Sequence, residues 1–137
     1  MADPSAPRRL AEAALAREPK SAWLHYLLGL AHFREGRLER ALEDLSRSLE
    51  LSDGWSAAPL NYPVLAMAHH RLGHVDEGRR WLDEAHGRHT VSSRGVDPGG
   101  GLSPSAGWWD RVEFQLLLRE ADSTVFGPEI PADPFAP

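Results

Sequence analysis

From Ser21 to Glu50 apolar residues recur at three- and four-residue steps, pause at Gly36, and resume. Trp23, Leu27, Leu30 and Ala31 lead up to the glycine, and Leu38, Ala41, Leu42, Leu45 and Leu49 follow it. That spacing is the period of an amphipathic helix on each side of a tight turn, so it predicts two antiparallel helices. The pattern returns 37 residues later: SAWLHYLLGLAHFREGRLERALEDLSRSLE, from Ser21, aligns with APLNYPVLAMAHHRLGHVDEGRRWLDEAHG, from Ala58. Leu28, Ala31, His32, Arg34, Gly36 and Leu45 recur as Leu65, Ala68, His69, Arg71, Gly73 and Leu82. In the second copy Asn61 is expected to cap the helix, Pro63 is tolerable in its first turn, and Gly73 stops it. Asp76 and Glu77 then suit the first turn of the next helix, where the backbone dipole favours anions.

A partial copy comes first. PRRLAEAALAREPKSAW reads as the second helix of a preceding unit, with Ala11, Ala14 and Leu15 inward and Pro19 closing it. The chain thus opens in mid-repeat, either with a capping helix or as a piece of a longer array whose units bury their faces on neighbours. Helical spacing resumes late, in SPSAGWWDRVEFQLLLREADSTVF, starting near Ser103-Pro104 or Ser105. Trp109, Val112 and Leu116 form one stripe, broadened by Phe114, Leu117, Leu118 and Ala121, with Arg111, Gln115, Arg119 and Asp122 opposite. Such a helix would cap a solenoid.

These elements predict an all-α fold of about six helices, a short helical-hairpin solenoid. Its expected parts are a disordered start at 1–6, a half-repeat at 7–19, repeats at 21–54 and 59–87, a flexible connection at 88–104, a capping helix at 105–123 and a proline-rich tail at 124–137. Prolines at 128, 131, 134 and 137 share one edge of a polyproline II helix, which an aromatic groove could take; the plainer expectation is a loosely docked tail.

The repeat resembles the tetratricopeptide repeat family. The family pattern asks for a bulky residue, Leu-Gly, an aromatic, a glycine turn, a small residue and a large apolar one. Here it finds His25, Leu28-Gly29, His32, Gly36, Ala41 and Leu45, then Tyr62, Leu65-Ala66, His69, Gly73, Gly78 and Leu82. The small residues Gly29, Ala66, Ala41 and Gly78 stand where helices approach closely. Histidines replace the usual aromatics, the closing proline is absent from both full copies, and three extra residues near Trp55 to Ala58 lengthen the period from 34 to 37. LAMAHHRLGHVDEGRRWLDEA with WWDRVEFQLLLREAD, within residues 62–123, is also similar to C-terminal repeat regions of large bacterial proteins, including serine/threonine protein kinases. The kinase's Gly-rich, His-Arg-Asp and Asp-Phe-Gly segments are not in this sequence.

Composition narrows the function further. Fifteen Lys and Arg against twenty Asp and Glu leave a net charge of -5, which disfavours nucleic acid and anionic membranes as partners. With no cysteine there is no disulfide, thiolate metal site or cysteine nucleophile. No signal-peptide run or membrane span is legible, and a cytoplasmic location is expected.

The stretch LAMAHHRLGH carries three histidines, His69, His70 and His74. His69 repeats His32 and reads as a packing ring with a satisfied nitrogen. His70 and His74 have the four-residue spacing of a shared metal, but Gly73 should break the helix between them and no third ligand stands at helical spacing. The end-of-helix pair His86 and His89 is no better placed. GGG at 99–101 follows no strand and precedes no Lys-Ser/Thr, so it is not a phosphate loop. No nucleophile elbow or isolated carboxylate pair appears, and neither catalysis, a cofactor nor a metal is expected.

The family resemblance implies stacked first helices along a concave surface that takes a partner's peptide or helix. Its candidates here are Trp23, Tyr26, Leu30, Phe33 and Arg34 from the first unit, with Met67, His70 and Arg71 from the second. This set would suit an amphipathic or acidic segment; equally, Trp23 and Tyr26 could be core. The expected role is a non-catalytic protein-interaction scaffold or adaptor. The alternatives are a regulatory segment of a bacterial serine/threonine kinase and, less favoured, a small metal-binding protein using the histidines. Exposed solenoid ends allow a homodimer.

Overall fold

The computed structural model describes residues 3–52, 55–91 and 108–127. Among them are six helices: α1 Ala6–Arg17, α2 Ala22–Arg34, α3 Leu38–Glu50, α4 Asn61–Arg71, α5 Val75–Val91 and α6 Trp108–Phe126. A 3-10 turn, Ala58–Leu60, precedes α4, and no strand is present among the described residues.

The fold is two helical hairpins, α2–α3 and α4–α5, flanked by α1 on α2 and by α6 on α4. The hairpin turns are built identically. Gly36 and Gly73 take φ of 79° and 85°, a left-handed conformation open to glycine at little cost. Just beyond them, Arg37 N–H donates to the His32 carbonyl at 2.8 Å and His74 N–H to the His69 carbonyl at 2.9 Å. Such back-bonds close a helix end by satisfying its orphan carbonyls. The 37-residue repeat read in the sequence is therefore a repeat of backbone geometry.

Small residues set the distance between helices. An added Cβ on Gly29 would lie 2.7 Å from the Leu45 side chain, which is fully buried, and one on Gly78 would lie 3.0 Å from the Ala66 carbonyl oxygen. One continuous core runs from Tyr26, Phe33 and Leu45 through Leu65, Met67 and Leu82 to Phe114 and Leu118.

The residues that lengthen the period fold inward. Trp55 packs on Tyr26 with ring centroids 5.8 Å apart, and Ala57 and Leu60 are buried. Asn61 does not cap α4 as expected. No side chain caps that helix; Asn61 is fully buried, and its Nδ2 donates to Ser48 Oγ at 3.1 Å and the Ala58 carbonyl at 2.9 Å. The 3-10 turn feeds directly into α4, so no extended cap residue is needed. Pro63 lies in the first turn, and Asp76 and Glu77 open α5.

Boundaries moved at both ends. The helical path begins at Ala6 with Pro7 in its first turn, and Ser5 N–H and Oγ–H both donate to Asp3, so residues 3–6 of the start expected to be disordered have defined local structure, while residues 1 and 2 lie outside the described residues. α5 runs on to Val91, and α6 spans Trp108–Phe126, ending three residues later than the expected cap, with Gly127 at φ 78° beyond it; residues 105–107 of the expected cap lie outside the described residues. The connection at 92–107 and the proline edge at 128–137 lie outside the described residues.

Candidate partner-binding face

α2 presents three faces. Leu28, Gly29 and His32 are buried on the hairpin side. Tyr26 and Phe33, seven apart, are also fully buried, beneath α4 and α6. Trp23, Leu27, Leu30 and Arg34 remain on the open side, with Trp23 49% exposed and Leu27 and Leu30 half-buried.

The eight candidate residues thus divide. Trp23, Leu30 and Arg34 reach an open surface, whereas Tyr26, Phe33 and Met67 are core. His70 is half-buried against Gly78, and exposed Arg71 lies over the Phe33 ring at 4.6 Å. The cause is α6, which runs along α2 on the surface expected to be concave and open. Tyr26 donates its hydroxyl to Glu113 Oε1 at 2.7 Å, and Arg34 forms a two-armed pair with Glu120, one arm at 2.8 Å. Burial, then the Glu113 carboxylate, pushes the Tyr26 hydroxyl pKa well up, so it stays a donor. The Arg34 hydrogen bonds hold Glu120 below, and Arg34 itself above, their ordinary values. His86 Nε2 and Asp122 Oδ1, 2.7 Å apart, tie α6 to α5.

α6 is also turned differently from the sequence reading. Phe114, Leu117, Leu118 and Ala121 are buried, but Trp109, Val112 and Leu116 are exposed. Both arcs are apolar, so periodicity alone does not say which one packs. The four-residue set chosen by the fold contains the residues that fill the space beside α4.

What stays open is a cleft between α1 and α2 of about 550 Å³, lined by Pro7, Leu10 and Ala14 on one side and Trp23, Leu27 and Leu30 on the other. Leu10 is 72% exposed at its edge. Arg34 closes one end of this cleft and links it through Glu120 to α6. The α1 wall was missing from the candidate set; the alternation of Pro7, Leu10 and Ala14 with charged residues was its signal.

The histidines are arranged differently from either reading. Nδ1 of His69 and of His74 lie 3.1 Å apart, because the turn at Gly73 folds His74 back beside His69; His70 is not in this pair. Burial, then His74, lowers the His69 pKa. His32 is 2% exposed with Nε2 3.5 Å from Asp44 Oδ2, and burial raises the Asp44 pKa. Neither His32 Nδ1 nor Asp44 Oδ2 has a hydrogen-bond partner, so the two side chains approach at ion-pair range without the satisfied nitrogen expected for a packed ring. Among the described residues no group of three or more His, Asp or Glu side chains could hold a metal ion. No helix among them is long and apolar enough to cross a membrane.

The described architecture is that of an all-α helical-hairpin repeat protein. Residues 22–55, the α2–α3 hairpin with the turn after it, match the family model for the tetratricopeptide repeat. That match supports the tetratricopeptide repeat family, whose fold generally serves as a non-catalytic protein-interaction surface. No curated protein and no solved structure matches the chain.

Proposed function

We propose that this chain is a non-catalytic interaction module, a scaffold or adaptor, that takes an apolar protein segment in the cleft between α1 and α2. Trp23, Leu30 and Arg34 are its contact residues from the first unit, joined by Leu10 and Pro7 of α1. The observation that carries this reading is the open apolar stripe on α2: a half-exposed tryptophan and two half-buried leucines facing a concave apolar wall. Buried aromatic anchors in a pocket supply most of the energy at protein interfaces, while a rim arginine fixes orientation. Tyr26 serves this role indirectly, by holding α6 through Glu113, while Phe33 and Met67 are part of the core beneath the face. The module is read as cytoplasmic.

A regulatory segment of a bacterial serine/threonine kinase is the second reading. It rests on the resemblance drawn from the sequence of residues 62–123, which lie outside the α1–α2 cleft.

The test is affinity capture from a lysate of the cells that make the protein, with the parent beside Trp23→Glu. A protein retained by the parent and lost by a variant of unchanged helical melt supports the module. Equal capture by both, or capture of nothing, contradicts it.

A further inference from the structure

Among the described residues two apolar surfaces stand exposed, one in the α1–α2 cleft and one about Val112 and Leu116 of α6, and they fit each other. The first is the α1–α2 cleft. Under the 37-residue repeat, Trp23, Leu27 and Leu30 correspond to Leu60, Val64 and Met67. Those counterparts are fully buried, within a unit packed against its neighbours on both sides. The same side of the first-unit helix is open, with Trp23 49% and Leu10 72% exposed. The molecule itself therefore shows how this side is covered in a finished unit: by a helix lying along it.

The second surface is the outer stripe of α6. Leu116 is 60% and Val112 37% exposed, with Trp109 continuing the stripe. Of the seven large hydrophobic residues that stand exposed among the described residues, five are Leu10 and Trp23 of the cleft and Trp109, Val112 and Leu116 of α6. Both surfaces open on one side of the molecule. Glu113 and Glu120 point from α6 to α2, and at 3.6 residues per turn Trp109 and Leu116 lie within about 60° of that line, away from the buried arc. Trp23 and Leu30 lie beside Tyr26 on α2 in the same sense, away from α4. α6 is also the right kind of helix: it runs parallel to α2 and seats on α4 and α5 as a first helix of a unit does.

Resting on the interaction-module reading, we infer that the occupant of the cleft is α6 of a second copy, in a two-fold dimer in which each copy lays its Val112–Leu116 stripe along the α1–α2 cleft of the other. Because cleft and stripe adjoin, one two-fold axis satisfies both contacts at once, and the arrangement closes at two chains. Contiguous apolar surface of this kind marks an association site.

The chain has no cysteine, which makes the contact easy to interrogate. Light scattering on the purified full chain should give twice the 15.1 kDa chain mass. Leu10→Glu and Leu116→Arg, both at exposed positions, should each leave the helical melt unchanged and weaken dimerisation at least tenfold. Mixed together, they should recover a heterodimer, since the new Glu faces the new Arg in one contact and the other contact keeps its parent residues. Leu10→Cys mixed with Leu116→Cys should form a disulfide-linked pair under mild oxidation. A parent that is a monomer, or a dimer indifferent to both charged variants, overturns the second copy as occupant. If that monomer still captures another protein in a Leu10-dependent way, the occupant is foreign and the module reading survives. If it captures nothing, both fail.

Discussion

Tyr26 and Glu113, 87 residues apart in sequence, are joined by a 2.7 Å hydrogen bond that pins the last described helix to the first unit. Tyr26 is fully buried, so its hydroxyl has no ready exchange with solvent, and Glu113 completes it. Tyr26→Phe should cost about 0.5–1.5 kcal/mol, the net worth of one hydrogen bond, because the freed carboxylate is only half-buried. Tyr26→Ala should cost about 3–5 kcal/mol through the cavity left beside Trp55. Urea melts of both variants, read by helical circular dichroism, check the ordering.

Gly29 should tolerate no side chain. Alanine ordinarily gains about 1 kcal/mol over glycine inside a helix. Here its Cβ would stand 2.7 Å from Leu45, whose own surroundings are filled. Overpacking of that sort costs about 1–3 kcal/mol, so Gly29→Ala should destabilise on balance. At Gly87, with nothing within 4 Å, alanine should not destabilise. Comparing the two melting midpoints separates packing from propensity.

Ser48 links three elements: its Oγ donates to the Ala22 carbonyl at 2.7 Å and accepts from Asn61 at 3.1 Å. Ser48→Ala removes both bonds in a fully buried site. The loss should be about 1–3 kcal/mol, the cost of leaving buried polar groups unpaired, and calorimetric unfolding would register it.

This serine also shows where sequence reading stopped. The repeat, both glycine turns and the small residues at close approach were legible because each is a local requirement of helix period or backbone conformation. Asn61 was read as a cap because asparagine at a helix start usually is one; its burial against Ser48 depends on a turn built from the extra residues at 55–58. α6 was placed correctly as an element and wrongly in rotation, because it carries two apolar arcs and the choice between them is tertiary. The same ambiguity applies to Tyr26, Phe33 and Met67, candidates for the groove that are buried in the fold. A repeat pattern identifies the inner side of a helix but not which part of that side another helix of the chain already covers.

Acid should loosen the second turn. Burial and His74 hold the His69 pKa below its usual 6.5, so the folded state favours the neutral ring. The unfolded chain takes up the proton first as pH falls. The stabilisation carried by neutral His69 is therefore complete above that value and is lost as pH drops through it toward the lower folded value. The melting midpoint of the parent should decline as the pH falls below the usual 6.5, and His69→Gln should flatten that decline. Equal slopes for parent and variant would contradict the assignment.

The central claim is that proteins meet this chain at the α1–α2 cleft. A photo-crosslinking phenylalanine derivative at position 23, in the cleft, and at position 75, an exposed valine at the start of α5, tests it most directly. Irradiation in the lysate of the producing cells should give intermolecular adducts from position 23, with this chain or another, and none from position 75. Adducts from position 75 alone, or from neither position, would contradict the account.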